Sequence, residues 1–332
     1  MKRLILLTLL GLLACNLIHT QQPAFTPAPA ATQIPTAAAT PEAALGTSKN
    51  PLILVLPPST QPASDVTTAS NTLVGLLEKS TGFKIVSVMP PSEIALVKAF
   101  GSKNAHIGVL TPFAYLLASE EGTVEAAFVR QQGNETFYGA QFIARNDAGF
   151  TRYFDPIKAA NMVEGPIALA QFRDKKPCWT DQFSASGYVI PLGFLAEAGV
   201  RTREPAFLAG HPTVVRAVYS GGICDFGATY VDARTYPGLQ DQYPDLPKKV
   251  DVIWQIPAII PYDSLVFARG LSEDMHRALT RAFVDLMTTT DGKSTMQTLY
   301  GFNAMQVVQD GQYDAFRKVV KASGLDLGSL IK

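Results

Sequence analysis

The sequence predicts an α/β protein built as two lobes about a two-strand hinge, and three observations lead there. From Pro51 onward, short apolar runs alternate with amphipathic stretches, the pattern of strands interleaved with helices. With 332 residues, 47% of them apolar and 17% charged, the chain can fill two cores and has too little charge to stay disordered. The alternation also runs through one set of elements, starts a second near residue 146, and ends on a strand that returns to the first. A chain that leaves a lobe and comes back leaves two crossover strands, which form a hinge able to close on a ligand.

Residues 52–56 predict the first strand, followed by a helix over 66–79 that stops at Gly82. A strand at 84–88, a helix at 93–100 and a strand at 106–110 come next. Thr111-Pro112 is a good cap and first-turn pair for a short helix over 112–119. Strands at 124–130 and 136–145 complete the first set. The second set comprises a short helix at 167–172, a strand at 177–179, a helix at 187–198, a strand at 206–207, a helix at 212–219, and strands at 223–228 and 250–256. The returning strand is 263–268, and helices at 272–287, 294–299 and 313–322 close the chain. Lobe 1 is therefore expected at 51–145 plus 262–332, and lobe 2 at 146–261.

The first fifty residues carry a different signal. Lys2-Arg3 precedes an apolar run over 4–13 of signal-peptide length, too short to span a bilayer comfortably. It ends in Leu12-Leu13-Ala14-Cys15, which resembles a bacterial lipobox, so residues 1–14 are expected to be removed and Cys15 to be lipidated. An ordinary signal peptide that happens to contain a cysteine is the alternative. Several acyl chains would suffice for stable anchoring. Residues 16–50 are rich in Ala, Pro and Thr, the composition of a tether.

Other function classes find little support. The net charge is zero and no Lys/Arg run exceeds Lys248-Lys249, which argues against a nucleic-acid partner. His19, His106, His211 and His276 are scattered, with no metal-ligand spacing, and no phosphate loop, dinucleotide fingerprint or nucleophile elbow is present. No metal, no cofactor and no catalytic residue is expected, and the protein reads as a binder, not an enzyme. Besides Cys15, Cys178 and Cys224 remain, and in an exported chain they admit one bridge or two buried thiols.

One stretch points to chemistry. Asp181-Gln182-Phe183-Ser184-Ala185-Ser186-Gly187-Tyr188 lies between a strand and a helix. Two hydroxyls and a glycine at a helix start offer backbone N–H groups and the positive end of the helix dipole to an anion. An ordinary serine cap is the plainer reading, and Pro191 in the second turn counts against a regular helix.

Ser184-Ala185-Ser186-Gly187-Tyr188-Val189-Ile190-Pro191 resembles the S-T-S-G-[FY]-x-x-P segment of the phosphonate-, phosphite- and phosphate-binding proteins of ABC importers. Further segments are similar to that family in the same order: 105–112, Gly210-His211, 223–228, and the crossover at 254–265. The resemblance implies a type II periplasmic binding fold, with a small oxyanion held by Ser184, Ser186 and the amides of Ala185 to Gly187. It further implies that His211 donates to the same group with pH-sensitive affinity, that Tyr138 touches the ligand, and that Asp232 and Asp263 accept from an amine or a protonated oxyanion. Cap or turn roles for the two aspartates stay open. Ala185 stands where the family has threonine, and Glu93 falls near an aromatic contact of the family, so phosphonate, phosphite, phosphate or another small anion remain possible ligands. In the resembling fold the strands bearing Cys178 and Cys224 are neighbours, which implies a disulfide between them. The implied partners are an importer permease and, through Cys15, the membrane, for an extracytoplasmic monomer. A sensing module for a separate signalling partner, and a hydrolase using Ser184 and His211, are the competing readings.

Overall fold

The computed structural model describes residues 43–331 and organises them around two sheets. Walking the chain, β1 (Leu52–Val55), β2 (Ile85–Val88) and β3 (Ile107–Leu110) are joined by α1 (Ala63–Thr81) and α2 (Glu93–Gly101). After α3 (Pro112–Glu120) come β4 (Val124–Arg130) and β5 (Phe137–Arg145). A small ribbon, β6 (Phe154–Asp155) with β7 (Ala160–Asn161), precedes α4 (Gly165–Leu169), β8 (Pro177–Trp179) and α5 (Ile190–Glu197). Then follow β9 (Ala206–Phe207), α6 (His211–Ser220), β10 (Phe226–Tyr230), the short α7 (Leu239–Gln242) and α8 (Leu246–Lys249), and β11 (Val250–Pro261). The chain ends with β12 (Ser264–Ala268), α9 (Glu273–Leu286), α10 (Thr290–Tyr300), β13 (Met305–Val307) and α11 (Asp314–Ala322).

The first sheet has the order β13-β4-β12-β3-β1-β2, with β1 parallel to β2 and β3 and antiparallel pairs from β3 to the β13 edge. Its strands are near-continuous apolar runs because both faces are covered. Leu52 and Leu54 point to the side of α1, α9 and α10, while Val55 and Leu110 join the core on the other face. Local signals set the helix ends. Ser92 Oγ caps α2 by accepting from Ala95 N, and α1 stops at Gly82, whose φ of 76° suits a residue without a side chain.

The second sheet has the order β11-β5-β10-β8-β9, antiparallel across β11-β5-β10 and parallel across β10-β8-β9. Here the structure differs from the lobe assignment made from sequence. Strand β5, expected with the first lobe, pairs along its length with β10 and β11. An apolar period identifies a strand but says nothing of its partner. The expected strand over 223–228 begins only at Phe226, and β11 runs on to Pro261. Pro257 is tolerated there because β11 is an edge strand and its register shifts between Ile256 and Ile260.

The two crossovers hydrogen-bond to each other. Pro261 pairs with Phe137, Tyr262 N donates to Thr136 O at 3.2 Å, and Arg130 N donates to Asp263 O at 2.8 Å. The C-terminal helix makes a third connection. Helix α11 stacks Phe316 on Phe113 of α3 at 5.7 Å and lies against α5, with Lys318 Nζ 3.1 Å from Glu197. The approach is close enough that a side chain at Gly193 would put its Cβ 2.2 Å from Val319 O.

Candidate ligand-binding cleft

Strand β8 delivers the chain to the loop singled out in the sequence. Cys178 lies opposite Gly227 of β10 and is joined to Cys224 by a disulfide, so the implied pairing is present. Past β8 the loop folds on itself: Phe183 N donates to Asp181 Oδ1 at 2.9 Å and Ser184 N to Asp181 O at 3.2 Å. Ser184 Oγ then accepts from Gly187 N at 3.1 Å, capping a π-helical turn over Ala185–Val189 that continues into α5. Pro191 explains the wide turn. It has no N–H to give the carbonyl of Gly187, which accepts instead from Thr180 N at 3.2 Å and ties the turn back to the end of β8.

Gly187 has a steric reason as well. A Cβ there would sit 2.2 Å from Thr180 Oγ1 and 2.9 Å from Ser184 Oγ. Ala185 and Ser186 therefore head a helical element whose first N–H groups have no partner one turn back, and Ser186 is only 3% exposed.

His211 opens α6, after Gly210 with its φ of 83°. Its Nδ1 accepts from Tyr230 N at 3.3 Å, and its ring meets the edge of Tyr230 at 4.6 Å. The proton of the neutral ring is thereby assigned to Nε2. Burial lowers the His211 pKa to about 4, with the Asp181 carboxylate acting the other way. This lies below the near-neutral titration expected from sequence, so near pH 7 the ring is a neutral N–H donor. The Asp181 interaction also places the start of α6 beside the serine loop.

Tyr138, two residues into β5, connects the serine loop to the hinge. It hydrogen-bonds Ser186 and stacks on Tyr262 at 4.9 Å. Burial raises its pKa to about 12, so the phenol keeps its proton. Asp263 lies at the crossover, with Arg130 Nη1 3.9 Å from its Oδ2 and the Arg130 guanidinium 5.5 Å from the centre of the Tyr262 ring. Burial raises the Asp263 pKa to about 6, against the pull of Arg130 and with a further push from Glu93. Glu93 itself accepts from Thr111 N at 3.1 Å, at the start of α3.

Asp232 stands apart from this set. Its carboxylate forks onto Arg234 and accepts from Gln141 Nε2 at 2.7 Å. Burial acts to raise its pKa, and Arg234 with Gln141 outweighs it, holding the carboxyl low. The contacts thus join Ser184, Ser186, Gly187, Tyr138 and Asp263 in sequence through space, and bring His211 to the same loop through Asp181. Sequence reasoning missed Arg130, Arg234, Gln141 and Tyr262. The Asp232-Ala233-Arg234 spacing was the one local signal; the other partners come from distant strands.

Two sheets joined by paired crossovers, with a serine-capped helix start reaching the hinge through a tyrosine, make a type II periplasmic binding protein. The chain belongs to the family described as ABC transporter, phosphonate, periplasmic substrate-binding protein, whose model matches residues 55–313. That family consists of substrate-binding proteins of transporters, not enzymes. A phosphate-import protein PhnD of Mycolicibacterium smegmatis is 26% identical over 206 residues, covering 58% of this chain and 59% of that protein. The match thus spans little more than half of the relative's length. XAC2383 from Xanthomonas citri, solved with bound chloride, superposes with a TM-score of 0.58 at 13% identity over 82% of this chain and 97% of its own. PhnD1 from Prochlorococcus marinus, solved with methylphosphonate, gives 0.48 at 16% identity over 81% and 97%.

Proposed function

We propose that the protein is the extracytoplasmic binding component of an ABC importer and captures a small phosphorus oxyanion (phosphonate, phosphite or phosphate) between its lobes. The observation that carries this is the serine-capped turn at Ala185–Val189, closed over Thr180 and reaching the hinge through Tyr138. Oriented amides and hydroxyls bind an anion without needing a counter-ion, and a helix start adds its dipole. In this reading the amides of Ala185 and Ser186, the Ser184 hydroxyl, one hydroxyl of the hydrogen-bonded Ser186–Tyr138 pair, and His211 Nε2–H donate to the oxyanion. Ser184 accepts from Gly187 N and keeps its own O–H free to give. The Gly187 amide, given to Ser184, supports the turn.

The sheet membership of β5 favours lobes that divide at the crossovers 131–136 and 262–263. The signal peptide, Cys15 and the linker up to residue 42 lie outside the described residues, whereas residues 43–50, expected as tether, pack on the first sheet's core through Leu45, with Lys84 N donating to Gly46 O at 2.7 Å; the lipid anchor, the permease partner and the monomeric state are part of the proposal.

Thermal stability of the mature protein against phosphate, phosphite, methylphosphonate and sulfate tests the reading. A ligand at 100 times its dissociation constant adds about 2.7 kcal/mol, and Ser186→Ala or His211→Ala should remove the shift. If no phosphorus oxyanion stabilises the protein, the reading fails. Palmitate incorporation that is lost in Cys15→Ala checks the anchor separately.

A further inference from the structure

We infer that helix α11 is a fulcrum for the helix that carries the serine turn, so that the resting opening of the cleft and the oxyanion affinity are set at Gly193, away from the ligand. The inference rests on the proposed capture of an oxyanion at Ala185–Val189 and adds the mechanical element that capture works against.

The base of α11 is fixed to the hinge. Tyr313, just before the helix, is fully buried, and its hydroxyl lies 2.7 Å from Ser264 Oγ at the start of β12. Its ring meets Phe137 of β5 at 5.7 Å and Tyr115 of α3 at 4.4 Å. One side chain thus touches both crossovers and the first lobe. Asp310 secures the same end, accepting from the hydroxyls of Tyr115 and Ser119 on α3 and from Arg317 Nη2 at 2.9 Å. Shifting this end would strand polar groups or open a void, and either is costly.

The contact with α5 is of another kind. The two backbones come so close that a Cβ at Gly193 would lie 2.2 Å from Val319 O. Among the described residues no backbone hydrogen bond joins the two helices. Lys318 pairs with Glu197 at 3.1 Å, but the lysine side chain is 75% exposed, and such pairs hold little. Compression at Gly193 is therefore blocked by a carbonyl, while a tilt about it breaks no backbone hydrogen bond. Helix α5 directly continues the serine turn, and Ser186 precedes Gly193 by seven residues, about 10 Å along a helix. The turn is tied to the second sheet by the Ser186–Tyr138 bond and by Thr180 N donating to Gly187 O. A tilt of the second lobe about Gly193 therefore swings the turn across the cleft.

Spin labels at Lys98→Cys on α2 and Lys158→Cys on the β6–β7 ribbon, both exposed positions, report the distance between lobes by pulsed EPR in the mature protein carrying Cys15→Ser. Without ligand, Gly193→Ala should shift the mean distance by a few ångströms, because the new Cβ must retreat by about 1 Å and the lobe amplifies that step. In titration calorimetry, whichever of phosphate, phosphite and methylphosphonate binds the unsubstituted protein should bind Gly193→Ala about tenfold more weakly. Lys318→Glu sets like charges together on the surface and should weaken binding by about threefold, and Lys318→Glu/Glu197→Lys should restore both distance and affinity. This pair decides the question where Gly193→Ala fails to fold. An unchanged distance in the folded variants, or a changed distance with unaltered affinity, overturns the inference. Shifted distances in a protein that binds none of the three oxyanions leave the fulcrum standing and overturn oxyanion capture.

Discussion

Reducing the Cys178–Cys224 bridge should lower stability and loosen the serine loop together. The bridge closes a loop across a sequence separation of 46 residues. In the chain-entropy model such a closure stabilises by about 4 kcal/mol through the unfolded state. Cys178 is fully buried and opposite Gly227, so reduction also leaves two thiols between β8 and β10 with little room to relax. For a domain of this size, each kcal/mol moves Tm by about 2–4 °C, which predicts a fall of roughly 8–16 °C. Scanning calorimetry on oxidised protein and on a Cys178→Ser/Cys224→Ser variant measures it, with thiol titration in denaturant confirming the redox state. Because β8 ends five residues before Ser184, oxyanion affinity should fall too. A bridge-free protein that melts within about 2 °C of the oxidised form would refute the entropic argument.

Three further outcomes follow from the packing and the charges. Gly187→Ala should cost about 1–3 kcal/mol by overpacking against Thr180 and Ser184 and should abolish oxyanion binding; wild-type affinity in calorimetry would contradict the loop geometry. Gly193→Val should separate α11 from α5 and destabilise by a similar amount, about 1–3 kcal/mol, as read by chemical denaturation. Asp263 and His211 should oppose each other between pH 4 and 6.5. Asp263, raised from 3.8 to about 6, gives stability that is present below 3.8 and lost as pH rises through 6. His211, lowered from 6.5 to about 4, gives stability that is present above 6.5 and lost as pH falls through 4. Asp263→Asn should therefore raise stability at pH 7.5 by about 1–2 kcal/mol after allowance for solvent screening and for the unpaired Arg130, and the gain should vanish below pH 4. A gain that persisted in acid would show that Asp263 is not the cause.

Much of the secondary structure was legible because its signals are local. Strands over 124–130, 177–179 and 206–207 stand where apolar runs and turn residues put them, and Gly82 ends α1 as expected. What local signals could not supply was partnership. Strand β5 reads as a half-buried apolar run whether it pairs with β12 or with β10, and only the tertiary fold assigns it to the second sheet. The start of β10 was misjudged for a related reason. Asp225 looked like the middle of a strand, yet its carboxylate accepts from Lys176 N and Arg203, which holds it at the strand's edge. Helix α11 shows its apolar face plainly, but nothing in residues 314–322 says that the face lies against both α3 and α5.

The candidate site divides along the same line. The half proposed to bind the oxyanion is a contiguous piece of chain, where Ser184 caps, Gly187 permits close approach and Pro191 frees a carbonyl for Thr180, so one short motif carries the geometry. Its charge-setting half is built from pairs that meet only in space: Arg130 with Asp263, Gln141 with Asp232, Glu93 with Thr111. A carboxylate in a sequence is an open valence, and its use depends on whether a guanidinium has reached it first. Near the crossovers Arg234 has reached Asp232 at 2.7 Å, while Arg130 stops 3.9 Å from Asp263, and neither outcome can be read from the local sequence.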